Sequence, residues 1–455
     1  MRCIHMKHIR RMMALLMCLF LLPVTALAQS QRLPLQDAHK VSYKQCIEQL
    51  NTGVRLTRWE ITTAHEDVSQ EMNTLAKDYV DEMVPGLEKL RYNEEARLDV
   101  YILHSRTGLT WMSFMVQARY VRNDTTRDVR FTTRTYDMVN GQQLTLADIF
   151  PAGSEAWRIM EEAVRERISA YYPDVAPDAA AVDAACTLDA IAAMDFTLHG
   201  MSLVLHLHAA DFYPGKQQLI EVPLYYPDIR PYMTENAQAE TDNLTYYDTV
   251  ALTYDDGPTS WVTREMLDLL METGTRATFF LVGGNISRYA QYVQREHDAG
   301  HAIATHFFQH LYADRTAGSV FAAMPPKVNK AHIDAIGLAP SYARAPGGLW
   351  KPMARAGAGW PLIQWTAEGR DWEGSGGRDP YLVKAQVLGQ VENGGIILMH
   401  DAKKNSILSS GMFIPVLQER GFLFLTVDEL FAKDGVVLQP ETPYWRCVDG
   451  DTSEP

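Results

Sequence analysis

The chain has 455 residues, 47% hydrophobic and 22% charged, a globular composition on a length that exceeds one ordinary domain. Lys and Arg total 42 against 56 Asp and Glu, a formal charge of −14. An acidic surface of this kind repels polyanions over a Debye length of about 8 Å, which excludes nucleic acid as a partner.

At the start, basic Arg2, Lys7, Arg10 and Arg11 precede an apolar run at 12–22, and Ala26-Leu27-Ala28 has the small-x-small form of a signal-peptidase site. Residues 1–28 therefore read as a signal peptide, and the protein as exported to the periplasm, cell envelope or extracellular space. The run is shorter than the roughly 20 residues a spanning helix needs, so no stable transmembrane segment is expected after cleavage. Cleavage removes positive charges only and leaves three cysteines, Cys46, Cys186 and Cys447. They form no CxxC pair and allow at most one intrachain disulfide.

Residues 29–233 read as an α+β domain. WMSFMVQARYV and DVRFTTRTYDMV alternate apolar and polar residues around Asn123-Asp124, and Asn140-Gly141 starts a second hairpin into QQLTL, which predicts an antiparallel sheet. After Ser154, an N-cap, the residues Trp157, Met160, Val164, Ile168 and Tyr171 share one helical face, predicting an amphipathic helix laid on that sheet. The Ala-rich stretch 179–194 reads as helical, and FTLHGMSLVLHLHA as another hairpin. His206 and His208 share a strand face there, and a half-buried strand pair is the preferred reading over a metal site. The polar, acidic TENAQAETDNL has no periodicity and marks a linker, placed at 234–245.

A different rhythm follows over 246–433. Seven short apolar runs, VALTY, ATFFLV, HAIAT, PSYA, LIQWTA, GIILM and FLFLTV, are mostly separated by helix-like segments such as TREMLDLLMETG. Strand alternating with helix predicts βα units closing into a parallel barrel, an α/β fold, with a short tail at 434–455. Five of the runs end on chemically useful residues: Asp255-Asp256, His306 with His310, Arg344, Asp371-Trp372, and His400-Asp401. In parallel barrels the carboxyl ends of the strands converge on one mouth.

His306 and His310, four apart at a strand-to-helix junction, can present both imidazoles to one metal, and Asp256 completes a two-histidine, one-carboxylate set with a coordination position left open. Asp255 is then a candidate base for a metal-activated water, although Asp-Gly-Pro is also good turn chemistry. His400 comes from another part of the barrel and suits an acid that protonates a departing amine or alcohol; a satisfied core histidine is its alternative. Asp371 can hold His400 and Arg344 can keep Asp255 ionised, or either can form an ordinary ion pair. Trp350 and Trp372 offer flat faces for a sugar ring or serve as core.

TYDDGP at 253–258, HxxxH at 306–310, RAPGG at 344–348, ExxDW at 368–372 and LMHD at 398–401 resemble, in order and spacing, the five motifs of the NodB-type polysaccharide deacetylases, carbohydrate esterase family four. The resemblance covers about 245–432. It implies a distorted (β/α)7 barrel, a divalent metal that is usually zinc, and removal of acetyl groups from N-acetylated sugars. It also implies Asp255 as base, Asp256, His306 and His310 as ligands, His400 as acid, Arg344 as support for the base and Asp371 as the group tuning the acid. Three positions depart from the pattern. Tyr254 replaces the usual Phe, and Glu368 replaces the first Asp of the fourth motif. Gly347 stands where the family often has an aromatic residue whose backbone N–H helps stabilise an oxyanion; the N–H survives, but a side-chain contact to sugar does not.

Residues 41–233 more loosely resemble the extracellular domain ahead of the barrel in PdaC-type peptidoglycan deacetylases, also seen in RsiV-like proteins, on RTYDMVNGQQLTLADIF and the helix after it. The expectation is an exported, zinc-dependent hydrolase of carbon–nitrogen bonds that removes the N-acetyl group from GlcNAc or MurNAc of cell-envelope glycan, first of all peptidoglycan. Chitooligosaccharide, exopolysaccharide and O-acetylated xylan are alternatives within that class. A non-catalytic glycan-binding or sensing protein is the alternative outside it, and the presence of base, ligands and acid together speaks against it.

Overall fold

The computed structural model describes residues 32–374 and 377–455. The signal peptide expected at 1–28 lies outside them. No helix among the described residues is long and apolar enough to cross a membrane.

The first sheet runs β1 (Val41–Gln49), β2 (Arg55–Thr63), β3 (Ala96–Thr107), β4 (Trp111–Arg122), β5 (Thr125–Asp137) and β6 (Gln142–Leu144) in chain order. It is mixed rather than antiparallel throughout, because the helix Glu66–Met83 carries the chain back and sets β3 parallel to β2. That helix buries Val68, Met72, Ala76 and Met83. Asn123 and Asp124 have φ of 48° and 57°, the two left-handed residues that a tight hairpin turn requires. A second sheet holds β7 (Asp195–Leu198), β8 (Ser202–His208) and β9 (Leu219–Tyr225), all antiparallel. The amphipathic helix forms over Ala156–Ala170 and buries Met160, Val164 and Ile168. It lies on β9 of this second sheet, not on the β4–β5 hairpin, because β7 to β9 supply the apolar partners Leu203, Leu205, Ile220 and Val222.

The linker expected at 234–245 is instead folded into two short helices, Glu235–Glu240 and Asn243–Tyr246. Two of its polar side chains, Asn243 and Glu240, are spent on backbone groups, while Glu235, Asn236 and Thr245 stay exposed. The buried Asn243 amide donates to Thr107 Oγ1 (2.7 Å) and the Gly200 carbonyl (2.8 Å) and accepts from the Gly108 N–H (2.8 Å). The Glu240 carboxylate accepts from the N–H groups of Leu109 and Thr110. A polar composition satisfied in this way costs nothing to bury.

The barrel wall is parallel, in the order β12 (Ala302–Thr305), β11 (Thr278–Leu281), β10 (Asp248–Asp255), β15 (Gly395–His400), β14 (Ala367–Glu368). One-residue bridges from Thr305 to Ala343 and from Ala343 to Leu362 continue it to β13 (Leu362–Ile363), which pairs with β17 (Pro443–Tyr444). The PSYA run is thus reduced to the Ala343 bridges, and LIQWTA is split between β13 and β14. The last run, β16 (Phe422–Leu425), pairs with Asp248 to Ala251 of β10, below the level at which β11 joins at Thr253. The barrel is therefore distorted. Strand parity then aims the site: Val250, Leu252 and Tyr254 pack outward with the helices, whereas Ala251 and Ile396 join the inner cluster. Asp255 and His400 lie an even number of residues on from those inner positions and share their side.

The two halves of the chain share that inner cluster, in which Leu198 and Leu205 meet Ala251, Phe280, Ile396 and Leu425. Asp298, fully buried at the end of the helix Ala290–Asp298, fastens them: it pairs with Arg119 of β4, accepts from the Leu219 N–H at 3.1 Å, and its carbonyl accepts from Gln117 at 3.2 Å. Cys46, Cys186 and Cys447 are free thiols.

Candidate active site

Each functional side chain sits at, or within a few residues after, the carboxyl end of a barrel strand or bridge. Asp255 is the last residue of β10 and 3% exposed. Asp256 follows with φ of 79°, a left-handed conformation unusual for a residue with a side chain, and this turns its carboxylate away from the direction Asp255 takes. His306 directly follows β12. Phe307, also left-handed at φ 65°, then bends the chain so that His310 comes back over the mouth from a loop. The strand-to-helix junction expected at HxxxH is therefore a loop, the next helix beginning at Gly318.

Asp256, His306 and His310 bring one donor atom each to within 4.8 Å of one another. His306 donates from Nδ1 to the Arg344 carbonyl at 2.8 Å, which fixes its tautomer. Burial pushes its pKa down to about 3 despite the Asp256 charge, so the ring is neutral and Nε2 carries a lone pair. That nitrogen stands 3.7 Å from Asp256 Oδ1, and His310 Nε2 stands 3.5 Å from the same oxygen. Asp256 Oδ1 is buried with no hydrogen-bond partner. An imidazole lone pair and an orphaned carboxylate oxygen aimed at one point leave a place for a cation, and the donor set of two nitrogens and one oxygen fits a divalent metal.

Asp255 faces this cluster from behind, with Oδ2 3.9 Å from His306 Nδ1. Its other oxygen accepts from Arg344 Nη1 at 2.8 Å. Arg344 is fully buried and held on every side: it donates to Thr253 Oγ1 (2.7 Å) and to the carbonyls of Ile363 and Gln364, with the Phe280 ring 4.1 Å from the guanidinium carbon. Burial raises the pKa of Asp255, and Arg344 with His400 pulls against that rise. The result is a carboxylate with one free oxygen, more basic than usual.

On the other wall, His400 closes β15 and Asp371 follows β14. Asp371 is fully buried and takes three donors: His400 Nδ1 on Oδ1 (2.8 Å), the His400 backbone N–H on Oδ2 (2.8 Å), and the Ser406 hydroxyl on Oδ2. Burial opposes a charge on His400, but the Asp371 hydrogen bond and charge, with Asp255 and Asp256, prevail and push its pKa up to about 9. Its Nε2 is left free for an incoming group.

The mouth thus brings together Asp255, Asp256, His306, His310, Arg344, Asp371 and His400. Trp372 is 48% exposed beside Asp371, and its indole N–H donates to Glu368 Oε1 at 2.9 Å, so the residue that departs from the motif orients the ring. Trp350 is half-buried and meets Trp445 of the tail edge-on at 5.5 Å, an arrangement of packing. Gly347 is exposed, with φ of 66°, and a side chain there would run into the Tyr312 ring. His206 is buried and bonded to Thr197 at 2.7 Å while His208 packs on Phe131, as expected of a strand pair. Three contributors were missed. Ser406 and Tyr312 carry no local signal. Asp401, named as a strand end but given no role, is fully buried, accepts from Thr263 at 2.8 Å, and has its pKa raised to about 7, by burial first; a side chain on Gly257 would collide with it.

Residues 244–359 match the family model described as polysaccharide deacetylase. The peptidoglycan-N-acetylglucosamine deacetylase PgdA of Listeria monocytogenes is 32% identical over 200 residues, 44% of this chain and 42% of that protein, so the chain spans less than half of that relative's length. A chitooligosaccharide deacetylase of Bradyrhizobium is 28% identical over 191 residues, 38% of this chain and 86% of the relative. The solved peptidoglycan deacetylase PdaC of Bacillus subtilis aligns at 25% identity over 41% of this chain and 91% of its own, with a TM-score of 0.37.

Proposed function

We propose that the barrel, of which residues 244–359 match the polysaccharide deacetylase model, makes the protein an exported metal-dependent hydrolase that removes the N-acetyl group from GlcNAc units of cell-envelope glycan, peptidoglycan first. The observation that carries the reading is the meeting, at one mouth, of an orphaned Asp256 oxygen flanked by two histidines, a buried Asp255–Arg344 pair and a buried Asp371–His400 pair. Similarity to relatives named for peptidoglycan N-acetylglucosamine and for chitooligosaccharide supports the GlcNAc unit, which both glycans contain.

Asp256, His306 and His310 would hold the metal, with zinc the ion that two imidazoles and one carboxylate suit best. Such an ion supplies Lewis acidity, which polarises a carbonyl and acidifies water. Asp255 takes a proton from the attacking water on its free oxygen, made basic by burial; Arg344 holds the other oxygen so that the free one stays aimed at the cluster. His400 is protonated at neutral pH and gives its Nε2 proton to the departing nitrogen, while Asp371 keeps the ring oriented through Nδ1 and stabilises its charge. Water, acetamide and two proton transfers balance to acetate and a free amine. Trp372 offers an exposed ring face at the acid side.

The test is mass spectrometry of digested peptidoglycan and of chitooligosaccharides after incubation with enzyme, with and without chelator. Acetyl loss that requires both Asp255 and the metal is expected. Acetyl loss unchanged by Asp255→Asn or by chelation refutes the mechanism.

A further inference from the structure

Tyr312 is 44% exposed, although it sits two residues beyond His310 at the rim of the mouth. Its ring meets the His310 ring edge-on, 5.4 Å between centroids with planes at 86°. It also stands beside the exposed Gly347: a Cβ built on that glycine would come within 2.8 Å of Tyr312 Cε1 and 3.1 Å of Cδ1. The two positions therefore share one volume, and the chain fills it from the HxxxH loop rather than from residue 347. Gly347 is doubly constrained, since its φ of 66° disfavours a side chain regardless of space. On the solvent side the ring carries only a loose cation, Arg315, whose guanidinium carbon is 5.5 Å from the centroid and whose side chain is 78% exposed.

An aromatic ring held against His310 of the candidate metal cluster, nearly half exposed and with only the solvent-exposed Arg315 over it, does nothing for the core. Its exposed face is the kind of surface on which the apolar C–H face of a pyranose packs. We propose that Tyr312 is a specificity-determining residue: it forms the metal-side wall against which the sugar ring of the unit being deacetylated is packed. This rests on the deacetylase reading of the site.

The experiment compares wild-type, Tyr312→Ala and Tyr312→Phe enzymes, each loaded with zinc, on an N-acetylglucosamine oligomer and on 4-nitrophenyl acetate, which has an acetyl group but no sugar. Zinc affinity is measured alongside by calorimetry. For the oligomer, Tyr312→Ala is expected to raise KM roughly ten-fold, the size of one good aromatic contact, with kcat little changed. Hydrolysis of 4-nitrophenyl acetate and zinc affinity should stay at wild-type levels, and Tyr312→Phe should behave as wild type because the ring face, not the hydroxyl, does the packing. An oligomer KM unmoved by Tyr312→Ala overturns the inference, as does an equal loss on both substrates or a fall in zinc affinity, either of which would make Tyr312 a support for His310. A wild-type enzyme inactive on every acetylated glycan overturns the proposed function and this inference with it; an active one isolates the inference.

Discussion

Replacing Asp371 by Asn tests the division of labour at the mouth most directly, because it removes a charge and leaves the shape. The rise of the His400 pKa from 6.5 to about 9 corresponds to roughly 3 kcal/mol in favour of the imidazolium, at 1.36 kcal/mol per pH unit. Burial is the largest influence and acts in the opposite direction; without the Asp371 charge only the weaker pull of Asp255 and Asp256 opposes it, so the pKa should fall to about 6.5 or below. At pH 8 the protonated fraction then drops from about nine-tenths to about 3%, and kcat/KM should fall by roughly 30-fold, with a smaller loss at pH 6. The same linkage has a stability sign. A folded pKa above the unfolded one stabilises the protein fully below about 6.5, and the contribution disappears as pH rises through about 9. Asp371→Asn should therefore lower the unfolding free energy by more at pH 6 than at pH 10, where only the His400 N–H and Ser406 hydrogen bonds to Asp371 are still altered. The assays are acetate release from a chitooligosaccharide between pH 5 and 10, NMR titration of the His400 ring, and urea unfolding at the two pH values. An alkaline limb that stays in place while the rate drops equally at every pH would refute the assignment of His400 as an acid tuned by Asp371.

Two further outcomes are expected. His310→Ala removes one of three donors and should weaken zinc binding by more than about 100-fold, since loss of outer partners alone costs 10- to 100-fold; competition with a chromophoric chelator measures it, and acetate release should fall in parallel. Asp298→Ala leaves Arg119, 1% exposed, as an unpaired buried cation and should cost about 3–5 kcal/mol in urea unfolding, detected as a lower midpoint with the slope unchanged.

The barrel and its mouth were legible because five of the seven apolar runs end on, or lead to, residue types that chemistry demands, and strand parity then turns Asp255 and His400 to the inner side. Asp255 and His400 could be placed from that alone. What stayed hidden was contact at long sequence separation. Ser406 reaches Asp371 from 35 residues away, and Tyr312 fills the volume above Gly347 from a different loop; neither has a local pattern. The supposed linker shows the converse failure. Asn243 and Glu240 look like solvated polar residues in the sequence, yet they are spent on the backbone of the β3–β4 turn, 130 or more residues earlier. The parallel β2–β3 pair lies outside the strands read from the sequence, and alternation reveals a strand but not its direction.

Those contacts also constrain what the N-terminal region can do for the barrel. It meets the barrel along its foot and flank. Gly200 packs on Leu423 and Leu425, Ser202 donates to Glu429 at 2.7 Å, and Tyr101 stacks under Arg295 of the helix Ala290–Asp298. Among the described residues, no hydrogen bond or ion pair joins it to Asp255, Asp256, His306, His310, Arg344, Asp371 or His400. What ties the two regions is a shared apolar cluster and the buried Arg119–Asp298 pair, an interface that does not hinge freely. At the rim of the mouth, Tyr312 beside His310 and Trp372, held by Glu368 beside Asp371, present exposed aromatic rings, and the proposed specificity of the site is to be sought there.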